Sequence, residues 1–302
     1  MLTWIYKFVF ISFVNKLLSR MLKPFRRLLP ERFHFPVCGF FRLRISPSEF
    51  IFMEGHYTSF ITRKLFWNGI KGFEYNSVVI FVSLIKKSNV FFDIGANLGY
   101  YSLLAEKINP ALNIFAFEPF SDAVTAFERN IKRNNFKKIQ IIPVGLSDKT
   151  GEDTLFYRIN DDFPEGLQLA GNNSMVNFKD NRNKQIQIKT QTLDSCVGEL
   201  QIDALDLIKI DTETTEFIIL SNGMKTIQTF RPVILCEVLP GNHEKKLETF
   251  FISLSYVFCR VEKGGVILLP KLEVVGDDEN DFFFVPVEKI EIMDHFIMNK
   301  NK

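Results

Sequence analysis

The sequence predicts an α/β fold built on a doubly wound, mostly parallel sheet. Three observations point there. From about residue 88 the chain alternates short apolar runs with helix-length segments. The apolar runs are nearly continuous, the pattern of strands covered on both faces rather than one. The first run stops in an acidic, glycine-bearing turn, VFFDIGANLGYYS (90–102), where such sheets bind ligands, at the carboxyl ends of their strands.

The elements follow in order. Residues 1–32 carry Lys7, Lys16, Arg20, Lys23, Arg26, Arg27 and Arg32 against Glu31 alone, a balance of +6 that leaves −4 on the rest of a chain whose net charge is +2. A basic head on a mildly acidic body predicts a head that meets something anionic. The segment is no signal peptide, because no basic region precedes its apolar run and no small-residue cleavage site follows. Lys7, Asn15 and Lys16 interrupt it as a membrane span, which wants ~20 apolar residues. Wound as a helix, Ser12 to Arg27 puts Asn15, Lys16, Ser19, Arg20, Lys23, Arg26 and Arg27 on one side. Val14, Leu17, Leu18, Met21, Leu22 and Phe25 fall on the other, and Pro24 kinks or ends the helix. Such a helix either lies on an anionic bilayer surface through residues 1–29 or packs its apolar face on the body.

Residues 33–80 form an N-terminal accessory region, and residues 81–290 the main domain. Strands are predicted at Asn89–Ile94, Asn113–Phe117, Lys138–Ile142, Asp206–Ile210, Val233–Glu237, Tyr256–Arg260 and Asp281–Val285. Helices are predicted at Tyr100–Lys107, at Asp122–Asn134 with Ser121 as N-cap, and at Asn242–Leu254. Residues 151–195 break the rhythm: polar, rich in Asn, Gly and Asp, they read as an antiparallel insertion near the site mouth, with strands near Thr154–Arg158 and Gln185–Thr192. Residues 291–302 are a tail. The architecture is Rossmann-like, with an N-terminal amphipathic helical extension. Cys38, Cys196, Cys236 and Cys259 are far apart and make no CxxC pair, which predicts reduced thiols in a cytoplasmic protein.

The turn after the first strand has several readings. A tight βα connection with no ligand is the plainest. A P-loop needs Lys after its last glycine, and none follows Gly99. A dinucleotide fingerprint needs a middle glycine, where Asn97 stands, and Asp93 would face a pyrophosphate badly. S-adenosylmethionine has no phosphate and carries a cationic sulfonium and ammonium, so an acidic turn suits it. Asp93 can help hold the amino end, Gly95 and Gly99 let backbone approach closely, and Asn97 tolerates a left-handed conformation. Glu118, in IFAFEP (114–119), lies roughly 20 residues past the turn, where an acid bonds ribose hydroxyls in this topology. The loop Pro143–Asp148 borders the adenine, with Ser147 and Asp148 either in contact or in a plain polar turn.

Taken together, VFFDIGANLGYYS (90–102), FAFEP (115–119), VGLSD (144–148), QTLD (191–194), DLIKIDTETTE (206–216) and PVILCE (232–237) resemble the FkbM family of methyltransferases. The resemblance spans about residues 78–240. It implies a class I methyltransferase that moves a methyl group from S-adenosylmethionine, usually to a hydroxyl oxygen. It implies cofactor contacts from Asp93, Gly95, Asn97, Gly99, Glu118, Ser147 and Asp148, with Ala96, Tyr100 and Pro119 beside them in the same turns. One departure stands out: the family's D-x-E-G-x-E reads Asp211-Thr212-Glu213-Thr214-Thr215-Glu216 here, with Thr214 in the glycine's place. If that glycine serves a positive φ, a β-branched residue is costly there.

Methyl transfer from sulfur is mainly an alignment problem, but a hydroxyl acceptor must lose a proton. Asp211 is expected as the central acid, also orienting the cofactor's methionine end, with Glu213 or Glu237 nearest the acceptor. Glu216 is expected to cap its own helix, and His243 is a reserve base. The cluster of Asp211, Glu213 and Glu237 offers oxygen ligands for Mg²⁺, although no metal is expected. The expected acceptor is a glycan, glycolipid or small molecule, read by residues 33–80 and 151–190. An acidic catalytic face argues against nucleic acid. The competing classes are a nicotinamide-dependent oxidoreductase and a membrane-associated scaffold that has lost catalysis.

Overall fold

The computed structural model describes residues 11–159, 167–169, 175, 183–241, 243–274 and 280–298. The N-terminal part holds helix α1 (Ser12–Leu22), the antiparallel hairpin of β1 (Gly39–Arg44) and β2 (Phe50–Gly55), and helices α2 (Phe60–Asn68) and α3 (Tyr75–Ile85). The hairpin and α2 lie in the region where the sequence predicted only an accessory segment, and α3 crosses its predicted boundary at residue 80. Edge strand β2 hands its free N–H groups to a neighbouring helix: Phe52 N donates to Asn134 Oδ1 at 2.8 Å and Glu54 N to Asn130 Oδ1 at 2.7 Å.

The main domain alternates β3 (Val90–Ile94), α4 (Tyr100–Ile108), β4 (Asn113–Phe117), α5 (Ser121–Asn134) and β5 (Ile139–Ile142). After the insertion come α6 (Leu193–Leu200), β9 (Leu207–Ile210), α7 (Glu216–Ser221), α8 (Met224–Phe230), β10 (Val233–Glu237) and α9 (Glu244–Ser253). Strands β11 (Tyr256–Glu262), β12 (Gly265–Leu269) and β13 (Asp281–Pro286) complete the sheet. Its order is β12-β11-β13-β10-β9-β3-β4-β5. Pairings among β10, β9, β3, β4 and β5 are parallel, and β13 runs antiparallel between β10 and β11. Each predicted strand is present, with its bounds shifted by three residues at most. Asn242, the predicted start of α9, lies outside the described residues.

The strands read as uninterrupted apolar runs because helices cover both faces. Phe91 and Phe92 are adjacent, so they point to opposite sides of the sheet. Phe91 packs with Phe81, Leu103, Leu104 and Phe127 from α3, α4 and α5. Phe92 packs with Ile219, Ile227, Phe251 and Phe284 on the side of α7, α8 and α9. All six residues of β13 are buried, which accounts for the run DFFFVP. Each buried Phe contributes about 1.5–3 kcal/mol of burial.

The insertion is antiparallel where it is described. Strands β7 (Gly151–Arg158) and β8 (Asn183–Gln191) pair from Gly151↔Thr190 to Arg158↔Asn183, and the short β6 (Gly145–Leu146) lies parallel to β8. One local expectation is corrected. Ser121 does not cap α5: the N-cap position is Phe120, whose N–H donates instead to Glu118 Oε1 at 2.9 Å. The apolar face of α1 is divided between body and solvent, with Leu22 packed on the core. The buried residues of the helix are the polar Asn15 and Ser19, while Leu17, Met21 and Phe25 are exposed and Val14, Leu18 and Leu22 half-buried. Among the described residues no helix is long and apolar enough to cross a membrane.

Candidate active site

The sheet reverses its winding between β3 and β9. The chain runs from β3 outward through β4 to β5, then returns to lay β9 on the other side of β3. Loops leaving the carboxyl ends of β3, β4 and β9 diverge at that point and leave a crevice. The cleft there is lined by Asp93, Gly95, Ala96, Asn97, Tyr100, Glu118, Pro119, Asp211 and Glu213, all of them sequence-predicted site residues. Gly99, Ser147, Asp148 and Glu237 are not part of its wall.

The glycine turn is shaped by contacts on both sides. Gly95 has φ +74°, and a Cβ there would stand 1.9 Å from the Asp211 carbonyl oxygen. Its N–H and that of Ala96 donate to the Phe117 carbonyl, so this turn is tied to β4 as well as pressed on β9. Gly99 has φ +81°, and a Cβ would enter the Phe127 ring. Gly99 therefore serves helix packing rather than ligand approach. Asn97 is left-handed at φ +49°, and its Oδ1 is buried with no hydrogen-bond partner.

Two carboxylates fix the turn. Asp93 Oδ2 accepts from Ser102 N at 3.1 Å and Ser102 Oγ at 2.6 Å, tying β3 to the first turn of α4. Its Oδ1 is buried without a partner. Burial raises the Asp93 carboxyl above its ordinary range, opposed in part by Lys209 and Ser102. Glu118 Oε2 accepts from Asn97 N at 2.8 Å, and its other oxygen bonds Phe120 N. Each oxygen keeps a lone pair for a further donor. Burial pushes Glu118 up to about 7.

Across the cleft, Lys209 is the buried cation that sequence reasoning missed. Its Nζ lies 3.1 Å from Asp211 Oδ2 and 5.4 Å from the centre of the Tyr101 ring. Burial by itself would lower its proton affinity, but the charges of Asp211, Asp93 and Glu74 outweigh burial and raise it. A single lysine inside the fully buried strand LIKI was the available signal. Glu74 was missed as well. It is left-handed at φ +44°, accepts from the Tyr101 hydroxyl at 2.6 Å, and is raised above the carboxylate range by burial and then by Asp281. Asp281 in turn accepts from Ser77 Oγ.

Glu213 reaches the cleft through a strained turn: Glu213 has φ +55° and Thr214 φ +91°. Burial, then Asp211 and Glu216, raise Glu213 to about 7. Glu237 stands behind the wall; burial first, then the charges of Asp211, Asp281 and Glu213, drive it well above the usual range. Glu216 folds back, accepting from Thr212 N at 2.8 Å and Thr212 Oγ1 at 3.0 Å. His243 sits at the start of α9 against Phe217, away from the cleft. Ser147 and Asp148 bond each other at 3.2 Å, and the wall near them is Val144, Gly145 and Leu146 instead. Among the described residues no three His, Cys, Asp or Glu side chains are grouped to hold a metal ion.

A doubly wound sheet whose antiparallel strands β13 and β12 lie toward one edge, and an acidic glycine turn at its switch point, define a class I methyltransferase fold. Comparison with known proteins gives the family. The model of the methyltransferase FkbM domain matches residues 93–258, more than half of the chain, and the chain belongs to this family. It is similar to 31-O-demethyl-FK506 methyltransferase FkbM of Streptomyces tacrolimicus, with 26% identity over 152 residues, 44% of this chain and 58% of that protein. It is also similar to Methyltransferase 1 of Beauveria bassiana, with 25% identity over 146 residues, 42% of this chain and 55% of that protein. A third relative, AMB antimetabolite synthetase AmbE of Pseudomonas aeruginosa, is 25% identical over 158 residues, 43% of this chain and 7% of that protein. The chain thus spans less than two thirds of the length of the relatives it matches. Among solved structures, methyltransferase FkbM from Methylobacillus flagellatus KT has a TM-score of 0.43 and 15% identity, covering 65% of this chain and 43% of that one.

Proposed function

We propose that the cleft binds S-adenosylmethionine and that the protein methylates a hydroxyl oxygen of a carbohydrate, glycolipid or small molecule. The observation that carries this reading is the charge of the cleft. Asp93, Glu118, Asp211 and Glu213 converge on it, and the one lining cation among the described residues, Lys209, is already paired with Asp211. A pyrophosphate cofactor would be repelled, whereas a sulfonium and an ammonium are attracted. The buried Oδ1 atoms of Asp93 and Asn97 and the Tyr100 hydroxyl lack partners and line the same cleft, so they fit a polar nucleoside.

When bound, the cofactor supplies a methyl group on an already activated sulfur. Glu118, with a lone pair left on each oxygen, is suited to ribose hydroxyls. Asp93 and Asp211 are suited to the amino end, and Val144, Gly145 and Leu146 form an apolar wall for the base. Glu213 lines the cleft with a proton affinity near neutrality, which suits a base that takes the acceptor's hydroxyl proton. Asp211, paired with Lys209, sets the charge around that base. Ile61 and Phe73 from the N-terminal region and Leu155 and Met175 from the insertion give the acceptor side an apolar, non-ionic character. A nucleic-acid backbone would meet the same carboxylates unfavourably.

The test is incubation with methyl-labelled S-adenosylmethionine and lysate fractions, followed by identification of the labelled product. Label is expected in a hydroxyl-bearing glycan, lipid or small molecule, and Asp211→Asn is expected to cut transfer by about 100-fold. Undiminished transfer in Asp211→Asn overturns the role of that acid. Tight calorimetric binding of NADH, with none of S-adenosylmethionine, overturns the cofactor.

A further inference from the structure

Helix α1 is anchored through the polar Asn15. Asn15 Nδ2 donates to the Pro36 carbonyl at 2.9 Å, and Asn15 Oδ1 accepts from Cys38 N at 3.0 Å. That anchor leaves an apolar stripe outward: Phe13 is 75% exposed, Leu17 49% and Met21 60%, and just past the helix Phe25 is 56% and Leu28 81% exposed. Phe13, Leu17 and Met21 stand on successive turns of one helical face. Lone exposed apolar residues need no explanation, but a contiguous stripe marks an interaction surface.

Beside the stripe, α1 and the β1–β2 hairpin enclose a groove that holds Lys16, Arg20, Lys23, Arg42 and Arg133 and, among the described residues, is lined by no carboxylate. None of the five has an ion-pair partner among the described residues. Three of the heads rest on aromatic faces instead: Lys23 lies 4.3 Å from the Phe66 ring centre, Arg133 4.2 Å from Phe52, and Arg42 4.7 Å from Phe50. Burial, and then Arg26, lower the proton affinity of Lys23, so an anion in the groove would relieve an existing cost. At 3.6 residues per turn, Lys16 and Arg20 lie on the helix sector next to the stripe.

We propose that this face docks on an anionic lipid bilayer, the stripe of Phe13, Leu17 and Met21 entering the headgroup–acyl boundary while the five-cation groove takes a phosphate headgroup. Apolar side chains and unpaired cations side by side match the two layers of a bilayer surface. A nucleic acid would satisfy the cations and leave the stripe in water. The sequence ahead of the helix carries Trp4 and Tyr6 beside Lys7, residue types that gather at membrane interfaces. The stripe and the groove share no residue with the cleft, so docking stands apart from the methyl-transfer reading.

The test is cosedimentation of the full chain with phosphatidylcholine vesicles, with and without phosphatidylglycerol. Binding is expected only to the anionic vesicles, weakening as salt is raised. Arg20→Gln with Arg133→Gln is expected to reduce partitioning by about 25-fold, at about fivefold per charge. Leu17→Asp with Met21→Asp is expected to abolish it, with unfolding temperature unchanged because both sites are exposed. Equal binding to neutral and anionic vesicles overturns the proposal, as does full binding by the Leu17/Met21 variant. So does self-association without lipid that Met21→Asp abolishes, because the face would then be covered by a second copy.

Discussion

Replacing Thr214 by glycine is expected to stabilise the protein. Thr214 is β-branched, sits at φ +91°, and is only 6% exposed. A side chain held in that region costs on the order of 1–3 kcal/mol. Its Oγ1 is also buried with no hydrogen-bond partner, which costs a further ~1–3 kcal/mol. Against this stand about 0.5–1 kcal/mol for the greater freedom of glycine in the unfolded chain. The lost methyl burial adds ~0.8 kcal/mol on the same side. The balance is about 2 kcal/mol in favour of Thr214→Gly, or about 3 °C in unfolding temperature for a chain of this length. Thr214→Ala separates the two causes, since it removes the hydroxyl but leaves a Cβ at positive φ. The order by urea titration and thermal unfolding is therefore Gly above Ala above Thr. A glycine variant no more stable than the alanine variant would refute the backbone argument, and one less stable than the parent would refute the whole account.

Other expectations follow from the same geometry. Gly95→Ala drives a Cβ into the Asp211 carbonyl and should cost more than 3 kcal/mol by the overpacking range of about 1–3 kcal/mol added to positive-φ strain. Gly69→Ala, at φ +68° with nothing within 4 Å of its Cβ, should cost only about 1 kcal/mol; equal losses in a denaturation series would count against the close approach. Lys209→Met leaves Asp211, Asp93 and Glu74 without their buried cation, and should lose about 3–5 kcal/mol at neutral pH, with part regained as acid protonates them. A variant whose deficit is the same at pH 5 and pH 8 would contradict this. Glu118 titrates near 7 in the fold and near 4.5 when unfolded, so the folded state binds the extra proton between those values. Stability from this group is therefore lost as pH rises through that window. Unfolding temperature of the ligand-free protein should fall more steeply from pH 5 to 7.5 than that of Glu118→Gln, and parallel profiles would remove Glu118 as the cause.

Much of the fold and part of the site were legible in the sequence. Strands buried on both faces leave continuous apolar runs, so Val90–Ile94, Asn113–Phe117 and Val233–Glu237 declare themselves without a partner in view. The turn at Asp93–Gly99 and the acid at Glu118 are local, because a parallel sheet with right-handed crossovers puts consecutive strand ends side by side. Even the cost at Thr214 follows from residue type once the turn is placed. What one position along the chain cannot state is which distant groups meet. Glu74, Lys209 and Asp281 come from a helix start and two strands, and only packing gathers them around Asp211. Nor can a helical wheel choose between two faces of α1. The periodicity divides polar from apolar, but the two hydrogen bonds from Asn15 to the segment at Pro36 and Cys38 decide which side the body takes. Local chemistry sets the elements and the turn that joins them; the charge balance of the cleft and the outward stripe depend on contacts between residues far apart in sequence.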